Sequence, residues 1–234
     1  RVLFRSDKPF TKEASFNFEK FKQHVEKAMR MMDDIIDLEL EKVELIINKI
    51  AADPEDEDIR RVEMELWKKI RTMARKGRRT GLGITAEGDM LAALGLRYGT
   101  PEATAFAVKV QKTLALEAYR ASVKMAAERG AFEIFDARKE EKNPMIGRIR
   151  EADPELYAEM VKHGRRNIAM LTIAPTGTTS LMSQTTSGIE PVFRPVYKRR
   201  RKINPSDQDA KVAFVDDMGE KFEEYNVYHH NFVK

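Results

Sequence analysis

Cysteine is absent: none of the 234 residues carries a thiol. That excludes disulfides, cysteine-ligated zinc and thiol chemistry by these residues. Histidine is scarce. The four are His24, His163, His229 and His230, and none has metal-ligand spacing with a partner carboxylate. No metal site is expected. Apolar runs of membrane-spanning length are missing, so no membrane partner is expected. The N-terminus, Arg1-Val2-Leu3-Phe4-Arg5, has no signal-peptide pattern. It reads as the cut edge of a longer chain, and the cytoplasm is the expected compartment. Neither sign of charge dominates: 42 basic against 38 acidic residues leave +4, which does not by itself imply nucleic acid. No internal repeat or low-complexity segment is visible.

Helix signals fill much of the rest. Phe16 to Ile50 reads as one long helix with Asn17 as N-cap and Phe16 and Phe21 as a staple. Phe18, Phe21, Val25, Met29, Met32 and Ile36 recur at three- and four-residue spacing and mark its buried face. Asp53-Pro54-Glu55 predicts the start of a second helix, to about Lys76, with Ile59, Val62, Leu66, Trp67 and Ile70 inward. Ala86 to Leu94 predicts a short helix stopped by Gly95. Thr100-Pro101-Glu102 opens a long one that ends at Gly130, with Phe106, Val110, Leu114 and Met125 on its apolar side. Lys139 to Arg150 reads as a charged surface loop. Asp153-Pro154-Glu155 caps a helix to His163.

Two stretches break that pattern. Gly77-Arg78-Arg79-Thr80-Gly81-Leu82-Gly83-Ile84-Thr85 predicts a short buried strand whose glycines let something pack against the backbone. Its glycine spacing does not meet the dinucleotide fingerprint. The second runs from Asn167 to Ser180. The apolar segment Ile168-Ala169-Met170-Leu171-Thr172-Ile173 enters the turn Pro175-Thr176-Gly177-Thr178, and Thr179-Ser180-Leu181-Met182 can begin a helix. Strand, glycine turn and helix N-terminus form an anion-binding recipe, because the first backbone N–H groups of a helix lack partners. A plain strand-to-helix connection with a hydroxyl cap is the other reading. Beyond it, Lys198-Arg199-Arg200-Arg201-Lys202 is either a phosphate or nucleic-acid patch or solvated charge. Lys211 to Asp217 alternates like a strand, and Phe222 to Val233 mixes aromatics with charge.

Three pieces line up in one order: Arg78 to Ile84, Arg165-Arg166-Asn167 with Leu171 to Thr178, and Ser187-Gly188-Ile189-Glu190-Pro191-Val192-Phe193. Together they resemble the large catalytic chain of ribonucleotide reductase. The tail, with Val196 to Lys202 and Glu223 to His230, is similar to the class II, adenosylcobalamin-dependent ribonucleoside-diphosphate reductases. The resemblance implies an α/β fold, the C-terminal half of a ten-stranded α/β barrel, with a helical segment over 16–77 and barrel strands and helices over 78–234. It implies that Pro175, Thr176, Gly177, Thr178 and Thr179 hold the substrate's phosphates, that adenosylcobalamin is the cofactor, and that a ribonucleoside diphosphate is the substrate. The remaining half of the reductase chain, an external dithiol such as thioredoxin, and a second copy in a homodimer would be partners. The family's radical-carrying cysteine and reductant cysteine pair have no counterpart here, so no catalytic residue is assigned. A helical nucleic-acid-binding or scaffold module using 198–202, and a class I large subunit, are the alternatives.

Overall fold

The computed structural model describes residues 6–204, 206–207 and 209–232. Arg1 to Arg5 and Val233, part of the terminal readings above, lie outside them. Strands β1 (Ser6–Asp7) and β2 (Ser15–Phe16) form a small antiparallel pair ahead of α1 (Phe18–Ala52). Asn17 caps α1 by accepting from the Lys20 N–H at 2.9 Å. Phe21, Val25, Met29 and Ile36 are buried as the spacing predicts, with Phe18 and Met32 half-buried. Helix α4 (Pro101–Arg129) starts at the Thr100 cap and stops at Gly130, and packs along α1. Met29 of α1 and Val110 and Ala118 of α4 are 0–1% exposed at the centre of the core. Each such large side chain contributes about 1.5–3 kcal/mol by leaving water.

Helix α2 (Glu57–Gly77) corrects the sequence reading in two ways. Its cap is Asp56, whose carboxylate accepts from the Asp58 N–H, while Asp53 closes α1 by donating its N–H to the Ile50 carbonyl. Ile59, Val62 and Leu66, expected inward, are 51%, 59% and 53% exposed. Helix α2 packs on α1 and buries none of its own residues completely. Its apolar stripe is wider than the one neighbour that covers it, so only Trp67, Ile70 and nearby residues are half-covered.

The expected loop at Lys139–Arg150 is also corrected. Asn143 accepts from the Met145 N–H and Pro144 takes the first helical position of α5 (Pro144–Ala152), which buries Ile146 and Ile149. Asn-Pro is a helix start when the following apolar pair has a core to meet. Helix α6 (Pro154–His163) follows from the Asp153 cap as predicted.

Of the expected half-barrel, the described residues show one parallel pair and no closed barrel. Segments 77–83 and 168–172 run parallel through Ile168 N–H to Gly77 O, Thr80 N–H to Ala169 O, Leu82 N–H to Met170 O and Thr172 N–H to Leu82 O, at 2.6–2.9 Å. Two paired segments cannot close a barrel, which needs strands on both edges. The glycines of this ladder are required by contact. A Cβ on Gly83 would overlap the Thr172 carbonyl oxygen, and one on Gly81 would sit 3.2 Å from Thr172 Cγ2. The helix α3 (Glu87–Ala93) follows at the end of the first segment, and α7 (Gly177–Ser183) follows the second.

The chain then forms an antiparallel sheet of β3 (Val196–Lys202), β5 (Lys221–Tyr228) and the two-residue β4 (Phe214–Val215), in the order β3-β5-β4. The basic run is therefore the strand itself. Lys198 and Arg200 pair with Glu224, Arg201 with Glu223 and Lys202 with Glu220, at 2.6–3.7 Å. Those cross-strand pairs offset part of the positive charge a phosphate backbone would bind and leave Arg199 without a carboxylate among the described residues. No helix among the described residues is long and apolar enough to cross a membrane.

Candidate functional site

The parallel ladder delivers Pro175-Thr176-Gly177-Thr178-Thr179 to the surface at its end. Pro175, Gly177, Thr178 and Thr179 are exposed, and Thr176 is half-buried. The left-handed residue of this turn is Thr176, at φ 52° and ψ 27°; Gly177 is not in that region. A threonine there is strained, so neighbours must hold it. They do. Thr176 Oγ1 shares a 2.8 Å hydrogen bond with Thr85 Oγ1 and accepts the Gly188 N–H at 2.7 Å. Thr85 Oγ1 reaches the Thr186 carbonyl and also accepts from the Gly188 N–H. The Glu87 N–H donates to the Gly188 carbonyl at 3.1 Å. Gly188 has φ +47°, and a Cβ there would lie 3.0 Å from the Ala174 carbonyl oxygen.

These bonds join the three sequence pieces at one place: the residues after the glycine-rich segment, the Pro-Thr-Gly-Thr turn and the Ser187-Gly188 turn. Ser180 Oγ adds a 2.7 Å bond to Ser187 Oγ and donates to the Gly177 carbonyl. The Thr176 hydroxyl, read from sequence as a ligand donor, is spent on this lacing. Thr178 and Thr179 remain open. Among the described residues, none accepts from the backbone N–H groups of Gly177, Thr178 or Thr179. A Cβ on Gly177 would meet nothing within 4 Å. The turn therefore presents three unpartnered amides and two free hydroxyls on a shape fixed from behind.

Beneath the ladder lies a polar centre that sequence reasoning missed. Asp33, on α1 and 0% exposed, accepts from Arg78 Nε at 2.8 Å, Arg166 Nε at 3.2 Å, Arg129 at 3.4 Å and Asn167 Nδ2 at 3.0 Å. Arg78 also pairs with Asp37 at 2.7 Å. Asn167, itself fully buried, donates to the Arg78 carbonyl and accepts from Ser122 Oγ. Burial works to raise the Asp33 carboxyl, but the Arg78 hydrogen bond and charge, with Arg166 and Asn167, outweigh it and hold the group below the usual carboxylate range. The centre ties both ladder segments to α1 and α4. A buried carboxylate was signalled only by an Asp inside the apolar face of α1.

Asp33, Asp34 and Asp37 bring carboxylate oxygens within 4.8 Å of one another. Arginines already engage each of the three, so this is an ion-pair centre.

Glu87 is a further buried acid near the turn. Burial pushes its carboxyl up, against a lowering hydrogen bond from Gln111 Nε2 at 3.0 Å. It lines an apolar cavity of about 680 Å³ with Leu116, Ile149, Ile173 and Ile189.

Comparison with known proteins bears on all of this. The model of the ribonucleotide reductase barrel domain matches residues 4–221. The vitamin B12-dependent ribonucleoside-diphosphate reductase of Mycobacterium tuberculosis (strain CDC 1551 / Oshkosh) is 36% identical over 127 residues, 54% of this chain and 16% of that protein. The protein of the same name from Thermoplasma acidophilum is 31% identical over 183 residues, 78% of this chain and 18% of its own length. The ribonucleoside-diphosphate reductase subunit alpha of Treponema pallidum is 30% identical over 134 residues, 53% and 15% of the two chains. The chain thus spans under a fifth of the length of these curated relatives. With the family model covering nearly the whole chain and the glycine ladder, the threonine turn and the Ser187-Gly188 turn meeting at one site, this chain belongs to the ribonucleotide reductase barrel-domain family.

Proposed function

We propose that this chain is the C-terminal portion of the barrel domain of a B12-dependent ribonucleoside-diphosphate reductase, with a helical segment over 16–77 and barrel elements over 78–234. Its task is to hold the diphosphate of the substrate. The observation that carries this reading is the exposed turn at Gly177, Thr178 and Thr179, with three unpartnered N–H groups and a backbone fixed by the Thr85–Thr176–Gly188 bonds. Backbone amides converging on an open turn suit a phosphate oxygen. Helix α7 has seven residues, so the local N–H groups matter more than its dipole. The names of the relatives at 36% and 31% identity support the B12-dependent class.

Cobalamin supplies the radical when bound to such a reductase. The chemistry that follows needs a thiol, and this chain has no cysteine. The residues present therefore do not fit the radical step, and none of it is assigned to them. The rest of the reductase chain would bring the thiols, and an external dithiol such as thioredoxin would reduce them. The purified chain with adenosylcobalamin and a dithiol should form no deoxynucleotide; measured turnover would sink this division of labour.

The loop is tested by calorimetry with ADP on this chain complemented by the missing portion. Gly177→Val places a branched side chain where a phosphate oxygen would rest and should weaken binding about ten- to a hundredfold with folding intact. Thr178→Ala should remove one hydroxyl donor to a charged acceptor, worth roughly 1.5–3 kcal/mol. Ser183→Ala, past the first turn, should do little. If Gly177→Val binds ADP as tightly as the parent, the turn is only a strand-to-helix connection.

A further inference from the structure

The far half of α7 and the end of β5 enclose a second cavity of about 600 Å³, a size suited to a small-molecule ligand. Its wall includes Arg194, His229, His230, Tyr197 and Tyr228, and among the described residues it includes no carboxylate. The turn residues Pro175 to Thr179 take no part in it.

Behind the cavity sits an unfinished polar contact. Asp89 on α3 is 2% exposed, and its Oδ2 accepts from the Thr186 N–H at 2.9 Å and Asn231 Nδ2 at 3.3 Å. Its Oδ1 has no partner. His229 Nδ1 is likewise buried without a partner, 3.8 Å from that oxygen. Two complementary buried groups left just out of hydrogen-bond range carry a desolvation cost that a small shift of the ring would relieve. Phe232 packs edge-on against the same ring at 5.0 Å.

We propose that this cavity binds a phosphate-bearing ligand with a flat ring. His229 closes on Asp89 as the ligand enters. The ring gives its Nδ1–H to Asp89, and the Arg194 guanidinium in the same wall meets a phosphate oxygen. The charged and titratable groups facing His229 are Asp89 from α3, Arg194 ahead of β3, Tyr197 from β3, and Tyr228 and His230 beside it in sequence. Tyr197, close to Arg194 in sequence, borders the cavity and offers an aromatic surface to the ring of the ligand. Asp89 acts through His229, as a positioning residue.

The test is nuclear magnetic resonance of the histidine and tyrosine rings of the full 234-residue chain, titrated with pyrophosphate, ADP and adenosine in parallel. The His229 and Tyr197 signals should move with pyrophosphate at millimolar concentration, and with ADP at lower concentration. Exposed Arg194 can be changed without risk to the core, and Arg194→Ala should weaken both ligands about tenfold. His229→Gln should do the same. Asp89→Asn should weaken ADP less than His229→Gln does and should abolish the ligand-induced shift of His229. Arg199→Ala, at an exposed β3 residue outside the cavity wall, should leave this binding unchanged. Adenosine moving the signals as strongly as ADP would overturn the phosphate assignment. Signals unmoved by pyrophosphate and ADP, or affinities unaltered by both Arg194→Ala and His229→Gln, would overturn the site.

Discussion

Two regions of this molecule use the same pair of groups, guanidinium and carboxylate, to opposite ends. Around Asp33 the pairs are buried and converge from four parts of the chain. On the antiparallel β3–β5 pair Arg200–Glu224 and Arg201–Glu223 are just as short, at 2.6 and 2.7 Å, but every β3 residue is exposed. Distance alone does not rank them. Losing one partner of a buried pair strands the others away from water, whereas a surface pair dissolves into solvent and salt.

The largest effect expected is at the buried centre. Asp33→Ala leaves Arg166 without a carboxylate and Arg78 with Asp37 alone, and should cost about 3–5 kcal/mol. For a chain of this size that is a fall of roughly 6–20 °C in melting temperature, readable by circular dichroism. A fall of under about 2 °C would erase the distinction between the two regions. The pH dependence has a fixed sign. Asp33 titrates below its ordinary value in the fold, so its contribution is complete above about pH 3.9 and is lost as pH falls through the lower folded value. Asp33→Asn should flatten the acid limb of the stability profile.

Next comes the ladder that the centre anchors. Gly83→Ala drives a methyl group into the Thr172 carbonyl and should destabilise by about 1–3 kcal/mol. Gly177→Ala, with open space around it, should be nearly silent in the same melting experiment. Equal effects at the two glycines would mean that 77–83 and 168–172 are not paired in solution.

Glu87 sharpens the comparison from the other side, as a buried acid with no ion pair among the described residues. Its carboxyl is pushed up, so burial opposes folding at neutral pH and the penalty lifts as pH falls through the folded value. Glu87→Gln should raise the melting temperature by about 1–3 °C at pH 7 and have no effect under acid conditions. A drop at pH 7 would reveal an unseen charge partner. The smallest effect belongs to the β3–β5 pair. Arg201→Ala and Glu224→Gln should leave the unfolding midpoint unchanged within error, and added salt should remove any residual difference.

Much of the helical layer was legible because its signals are local. Asn17, Thr100 and Asp153 cap the helices they were expected to cap, and the core face of α1 follows from its own spacing. The failures have a common cause. The inward face of α2 depends on how much of it α1 covers, and α5 depends on a core for Ile146 and Ile149 to join. Asp33 and Asn167 lie 134 positions apart, so no window of sequence shows their bond. At the turn, residue types marked out the segment between the ladder and α7. They could not show that Thr176, not Gly177, takes the left-handed conformation, since that rests on Thr85 and Gly188. The resemblance implied half of a ten-stranded barrel, while the parallel pairing among the described residues is a single ladder.

The hydroxyl bonds behind the turn also set an order of events in time. Thr85 and Thr176 are 91 positions apart, and Thr85 and Gly188 are 103 apart. Each closure must wait until the intervening chain, including α4, α5 and α6, has been folded back. Contacts of such separation are slow to form because their loop entropy is lost before they are rewarded. The backbone bonds inside α1 and α4 are local and can form early, whereas the threonine turn acquires its shape only when distant segments meet. The Gly188 amide, held by both hydroxyls, is therefore a late clock for the whole chain: in a refolding experiment read by hydrogen exchange, its protection should appear after that of α1 and α4.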